Sequence, residues 1–425
     1  MRNIVLISYD SLRADHCGYM GYDRDTTPTL DRWSEEGVTF QNAIAPASRT
    51  SISMSSVHTG DILIRDDSRT AEEFARRHFN RNETIANKLS RKGYNTGAFS
   101  PNAYASRYYG FDEGFDHFED FMFDSSIYQK IFGKHKSESE FFTALRNIRN
   151  AVLREEVFKT WDKYINDVES WVDEQGEPFF LWIFSLEPHF PYLTPRKYRQ
   201  WGSLIDMYYY NWLCNNLIDQ FNINIDEEKM QKIIDIYDDS IRFADRLLRS
   251  LQQRFEEYDP IYIVHGDHGE AFNEHSVYGH FYPSFYEENI HVPLTVYNAN
   301  REPLTIDRPI SLTAIPKIIE ISTEPNRDYK SLGGKFAIMS DYDARRGRRL
   351  IGVRTKNWKF ISTETNEGVN QELYNIKDDP IEQDNLINKQ KTNNPLVEIM
   401  ENRKSHENEL LSIQRFSRSL EGENI

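Results

Sequence analysis

The sequence is poor in cysteine, in long apolar runs and in basic charge. Two cysteines, Cys17 and Cys214, in 425 residues are too few for a disulfide framework, and no spacing pairs them. The longest apolar block, FFLWIFSL from Phe179 to Leu186, is strand-sized, well short of the about 20 residues that a membrane-spanning helix needs. The opening stretch MRNIVLISYDSLRAD is cut by Asp10 and does not read as a secretory signal. These absences lead to the expectation of a cytoplasmic protein with no membrane span. Lysine and arginine number 51 against 67 acidic residues, a net charge of −16. That excess weighs against nucleic acid or an anionic membrane surface as a partner. It leaves room for a small anionic substrate, because a bound cation reverses the potential locally. The one basic cluster, ARRGRR from Ala344 to Arg349, reads as a solvated loop.

What is present suffices for a sizeable core. Hydrophobic residues make up 39% and aromatics 13% of the chain, which excludes wholesale disorder. The length predicts one large α/β domain and a smaller second one. NIVLISYD is a buried parallel strand that carries Asp10 at its C-terminal end. TTPTLDRWSEEGVTF and NETIANKLSRKGYNTGAFS each give a helix start, apolar positions at helical spacing, a glycine stop and a following strand. That alternation marks βαβ units. PFFLWIFSLEPHFPY is a core strand ending near His189. PIYIVHGDHGEAF is another, with Asp267 and His268 at its end. Residues from about 116 to 173 and from about 200 to 258 read as helical insertions in a catalytic domain spanning 1–325. Short strands and a polar final helix from about Asn394 predict a smaller α+β subdomain over 326–425.

Asp10, His189, Asp267 and His268 all fall at C-terminal strand ends, the edge where open α/β sheets bind ligands. An Asp-His pair after a hydrophobic strand suits a divalent metal. A carboxylate buried at a strand end with no basic neighbour in sequence needs a partner, and a metal is one. His189, His275 and His280 add groups able to neutralise an ester oxygen or protonate a leaving group.

These residues carry a resemblance to the sulfatase family of the alkaline phosphatase superfamily. It runs in the family's order along nearly the whole chain: IVLISYDSLRADHCGYMGY, TTPTLDRWSEEGVTFQNAIA, ETIANKLSRKGYNTGAFS, YYGFDEGFDHFED, FSLEPHFPY, VHGDHGEAFNEH and ELYNIKDDPIEQDNL. The resemblance implies a mixed, mostly parallel sheet sandwiched by helices, with a smaller C-terminal subdomain. It also implies metal-dependent ester hydrolysis.

The family's nucleophile motif is C-x-P-S-R followed at a fixed interval by Thr-Gly, its first residue being oxidised to formylglycine. Aligning on Ala47-Ser48-Arg49 would put the nucleophile at Ala45, which has no nucleophilic atom. Aligning on Thr59-Gly60 puts Thr50 there, with Ser53 as the motif serine and Met54 in place of the motif arginine. Threonine cannot become formylglycine, because the oxidation starts from a primary thiol or hydroxyl, so no formylglycine is expected. The resemblance therefore points to the members that use an unmodified threonine on phosphate-type esters. It implies one divalent ion held by Asp10, Thr50, Asp267 and His268, with Thr50, His189 and His280 catalytic. It also brings Ser11, Asn102, His189, His275 and His280 to the substrate, with His275 alternatively supporting its loop and Asn102 alternatively capping. Ser11 stands where many relatives carry a second aspartate, which favours Mn or Zn over Mg or Ca. The expected substrate is a small anionic ester, possibly glycan- or lipid-linked, acted on by a phosphohydrolase or phosphotransferase. Sulfate-ester hydrolysis, and a catalytically dead anion- or glycan-binding relative, are the alternatives.

Overall fold

The computed structural model describes residues 1–63, 70–121, 159–217, 225–280, 282–324, 327–343, 346–390 and 395–421. The chain opens with β1 (Ile4–Tyr9), then helix α1 (Pro28–Glu36) and β2 (Val38–Phe40). Helices α2 (Thr50–Thr59), α3 (Ala71–Arg81) and α4 (Ile85–Ser90) precede β3 (Asn95–Phe99) and β4 (His117–Glu119). Next come α5 (Trp161–Gln175), β5 (Phe179–Ser185), α6 (Leu204–Leu217) and α7 (Glu227–Arg254). The body closes with β6 (Ile261–Gly266), β7 (Leu294–Tyr297), β8 (Leu304–Ile306) and α8 (Ile315–Thr323).

These strands form one eight-stranded sheet in the order β8-β2-β7-β6-β1-β5-β3-β4. β1 lies at its centre, parallel to β5 and β6, with Ile4 opposite Phe180 and Ile261. Only β7 runs antiparallel, pairing β2 and β6. Alternate side chains leave a strand on opposite faces, and both faces here are covered. Ile4 and Leu6, with Phe180, Trp182 and Phe184, pack on the α2, α4 and α8 side. Val5, Ile7 and Tyr9, with Phe179, Leu181 and Ile183, pack under α1, α5 and α7. Burial on both sides explains why these strands read as unbroken apolar runs.

The first expected insertion largely falls outside the described residues, over 122–158. Its leading part is not helical: His117–Glu119 is an edge strand parallel to Gly97–Phe99. Asp116 fixes it by accepting hydrogen bonds from Thr96 N and Thr96 Oγ1, a tertiary pairing that local pattern does not encode. The second expected insertion is the pair α6 and α7.

The C-terminal part is an antiparallel four-stranded sheet of β9 (Phe336–Asp343), β10 (Arg348–Thr355), β11 (Trp358–Thr365) and β12 (Gly368–Asn375), followed by α9 (Pro395–Glu421). Leu396 and Met400 of α9 pack on Ile351, Val353, Phe360 and Leu373. The other face meets the main body through Met339, Leu350 and Ile361 against Ile44, Phe285 and Ile290. Arg348 and Arg349, expected in a solvated loop, instead open β10, and Arg349 is buried in an ion pair with Glu407. Cys17 and Cys214 are unpaired and buried. Among the described residues, no helix is long and apolar enough to cross a membrane.

Candidate active site

Three backbone elements converge at one edge of the sheet. β1 delivers Asp10, and its N–H continues the ladder to Ser185 O of β5. β6 delivers Asp267 and His268, with Asp267 N bonded to Tyr9 O. The third element is α2, whose N-terminal residue is Thr50 and whose end is set by Gly60 at φ 82°. α2 is buried along its whole length despite its serines. Ser55, Ser56 and Thr59 turn their hydroxyls back onto carbonyls one turn earlier, which satisfies them internally.

The carboxylates of Asp10 and Asp267 and the imidazole of His268 offer ligand atoms within 4.8 Å of one another, all buried. His268 Nε2 lies 3.8 Å from Asp10 Oδ1 and 3.4 Å from Asp267 Oδ2. It is 3.1 Å from Thr50 Oγ1. His268 Nδ1 is 2.9 Å from Gly269 O. A carbonyl only accepts, so the ring proton is on Nδ1 and Nε2 turns a lone pair inward. Asp267 Oδ2 is buried with no hydrogen-bond partner. Two carboxylate oxygens and an imidazole lone pair therefore face each other across a buried space with few protons to share. A divalent cation fits that donor set.

The electrostatics agree. Burial, then the neighbouring Asp267, pushes the Asp10 carboxyl up. Burial pushes Asp267 up to about 7 against the hydrogen bonds it accepts. His268 is pulled down to about 3 by burial and by His280, which keeps it neutral and able to ligate.

The remaining expected residues separate into two groups. Ser11, at φ 62°, donates its N–H to Asp267 Oδ1 at 3.0 Å and its hydroxyl to Asp10 Oδ1 at 3.0 Å. Asn102 Nδ2 donates to Asp10 Oδ2. The His280 ring stands 4.4 Å from that of His268 and 4.9 Å from that of His189. Burial, His189 and Arg49 lower the His280 pKa well below its ordinary value. His189 donates from Nδ1 to Phe190 O. His275 lies apart: its Nδ1 is 2.7 Å from Glu288, its Nε2 is 3.2 Å from Glu382 O, and its ring stacks on Tyr286. These partners tie the loop after β6 to the C-terminal sheet.

Several residues complete the site without having been singled out from sequence. Glu270 Oε1 is 3.0 Å from His280 Nδ1, and burial pushes this carboxyl up to about 7. Arg13 donates to Glu270 O and pairs with Glu274, anchoring the loop. Tyr237 of α7 donates to Ser11 O and accepts from Arg13 N. Gly269 lets the loop press on its neighbour, since a Cβ there would lie 2.0 Å from Glu288 O. Glu270 sits within HGDHGE and Arg13 within DSLRAD, so the signal was adjacency to Asp10, Asp267 and His268. Met54, in the position of the motif arginine, points into the apolar core.

A family model described as Sulfatase matches residues 2–319. An arylsulfatase of Clostridium perfringens (strain 13 / Type A) is 26% identical over 338 residues, covering 70% of this chain and 68% of that protein. The solved phosphonate monoester hydrolase of Agrobacterium radiobacter is similar at TM-score 0.63 and 17% identity, covering 98% of this chain and 96% of that one. A protein in the alkaline phosphatase superfamily from Vibrio parahaemolyticus gives TM-score 0.56 at 18% identity, over 89% of this chain and 80% of that one. With the family model spanning the body that holds every expected site residue, this chain belongs to the sulfatase family of hydrolases.

Proposed function

We propose that this protein cleaves a phosphate or phosphonate ester with unmodified Thr50 as the nucleophile. The observation that carries the reading is the place of Thr50 Oγ1, at the start of a buried helix and 3.1 Å from His268 Nε2. Threonine has no route to formylglycine, and the site has no arginine at position 54 to hold an aldehyde hydrate. Asp10, Asp267, His268 and Thr50 would hold one divalent cation, with Mn or Zn best matched to two carboxylates, an imidazole and a hydroxyl. Such an ion lowers the proton affinity of a neighbouring hydroxyl and offsets negative charge on the ester oxygens.

The chain's own residues supply the rest. Thr50 gives up its hydroxyl proton to solvent, and its Oγ1 forms the new bond to phosphorus while the bond to the leaving oxygen breaks in line. The free N–H groups at the start of α2 favour the anionic oxygens. His189 stands beside those oxygens. His280, with Nδ1 toward Glu270, gains proton affinity when an anionic ester comes near, takes up a proton from solvent and passes it to the leaving oxygen. Water or an acceptor alcohol then takes the phosphoryl group from Thr50.

Sulfate-ester hydrolysis is the second reading, favoured by the arylsulfatase relative. It would need another hydroxyl of α2, yet Ser53 Oγ is already committed to Asp267 O at 2.6 Å. The test is turnover of aryl phosphate, phosphate diester, phosphonate ester and sulfate ester by metal-stripped protein given Mn, Zn, Mg or Ca in turn. Phosphorus-ester turnover should require metal and fall by about 10³-fold or more in Thr50→Ala. Sulfate turnover that survives Thr50→Ala would overturn the reading.

A further inference from the structure

The basic run at the start of β10 lies against the active-site loop. Arg348 Nη1 donates to Pro283 O at 2.7 Å, and its guanidinium lies 3.8 Å from the Tyr282 ring centroid. Tyr282 and Pro283 follow His280 closely in the chain. Ser284 N in turn donates to Ser48 Oγ at 3.2 Å, so this segment rests on the approach to Thr50. Arg49, between Ser48 and Thr50, is near enough for its charge to act on His280.

The charges of this cluster are unequally matched. Arg49 is paired by the buried Asp341 and Arg346 by Asp343. Arg348 has instead a carbonyl and an aromatic ring as partners, and its Nε is buried with no hydrogen-bond partner. Burial lowers its proton affinity more than the charges of Tyr282 and Asp341 restore it. A partly buried guanidinium without a carboxylate in contact is costly, and it stands out in a chain of net charge −16.

We propose that Arg348 anchors a second anion subsite at the rim of the active site, so that the substrate carries a further phosphate, sulfate or carboxylate beyond the ester that is cleaved. This rests on the reading of the Thr50 site as the ester-cleaving centre. Arg348 contacts Tyr282 and Pro283, in the segment that follows His280, and His280 is the group assigned above to the leaving oxygen, so the second anion is assigned to the leaving group. A guanidinium suits such oxyanions because its N–H fork pairs with two oxygens at once.

The test measures binding, separately from turnover. Benzylphosphonate and 4-carboxybenzylphosphonate, neither of which offers an ester to cleave, are titrated calorimetrically into the metal-loaded protein. The parent should prefer the carboxylated ligand by about tenfold, the size of one charge-assisted hydrogen bond. Arg348→Gln should bring that ratio to about one while leaving benzylphosphonate affinity within about twofold, and Arg348→Lys should keep part of the preference. Circular dichroism establishes that each variant is folded. Equal affinities in the parent, or a ratio unchanged in Arg348→Gln, would overturn the subsite. Failure of the Thr50 reading looks different: turnover survives Thr50→Ala while the calorimetric ratio stands.

Discussion

Two clusters in this molecule bury carboxylates, and they resolve the cost in opposite ways. Where the C-terminal sheet meets the main body, Glu287 and Glu382 surround Lys359, which is 0% exposed. Lys359 Nζ lies 3.0 Å from Glu287 and 2.6 Å from Glu382, and Arg354 adds a 3.0 Å contact to Glu287. Burial alone would raise Glu287, yet Lys359 and Arg354 hold it well below the ordinary carboxylate range, while Glu382, which shares Lys359 with it, is still pushed up to about 7 by burial. At the strand ends, Asp10 and Asp267 have only neutral His268 as an ion-pair partner among the described residues, and both carboxyls are pushed up. One cluster carries its counter-charge within the chain and locks two subdomains together. The other lacks it, which is the mark of a site completed by a ligand.

The sharpest way to break this contrast is to remove one acid from the open cluster. Asp267→Asn should lose the metal and reduce kcat/KM by about 10³-fold or more, because the ion's several kcal/mol of charge stabilisation goes with it. The metal-free variant should be at least as stable as the metal-free parent, since one of two adjacent buried carboxylates is gone. Elemental analysis, kinetics and urea denaturation check these outcomes together. An Asp267→Asn protein that keeps its metal would end the comparison.

The paired cluster should respond in stability. Lys359→Met leaves the buried Glu382 without its cation and Glu287 with Arg354 alone, and breaking such a network costs about 3–5 kcal/mol. Urea denaturation reads this directly; a loss under about 1 kcal/mol would mean that solvent already screens the pair.

A third buried acid sharpens the difference through pH. Among the described residues, Glu187 has no cation partner in contact. It accepts from Ser185 Oγ at 2.7 Å and from Trp161 N at 3.3 Å, and burial pushes it up to about 7. A carboxyl raised on folding contributes stability that is fully present below its unfolded value and is lost as pH rises through its folded value. The parent should thus lose up to about 3 kcal/mol between about pH 4.5 and 7 on account of Glu187. Glu187→Gln should remove that slope, read as urea midpoints at pH 5 and pH 8. An unchanged slope would place the titration elsewhere.

Much of the candidate site was legible because each candidate ligand follows a recognisable run. Asp10 ends IVLISY, Asp267 ends IYIVHG, and Thr50 lies at a set distance before Thr59-Gly60. These are local features, and strand ends are where this architecture presents its groups. His275 was legible as a residue near the site, but its partners were not. Glu288 and Glu382 hold it toward the C-terminal sheet, and nothing in the loop's own sequence encodes that direction.

The sequence by itself determined the alternation of strands and helices, the two-sided burial of the central strands and the residue types at their ends. Those follow from periodicity, capping and propensity, which act over a few residues. Only the tertiary structure decided which distant groups share one buried space. It set Asn102 on Asp10, Glu270 on His280 and Tyr237 beneath Ser11. It also carried Arg348 from an apparently solvated run onto Tyr282 and Pro283. Such pairings depend on strand order and on the docking of the second sheet. Those are set by the summed burial of two hydrophobic faces, and no local stretch of sequence contains that sum.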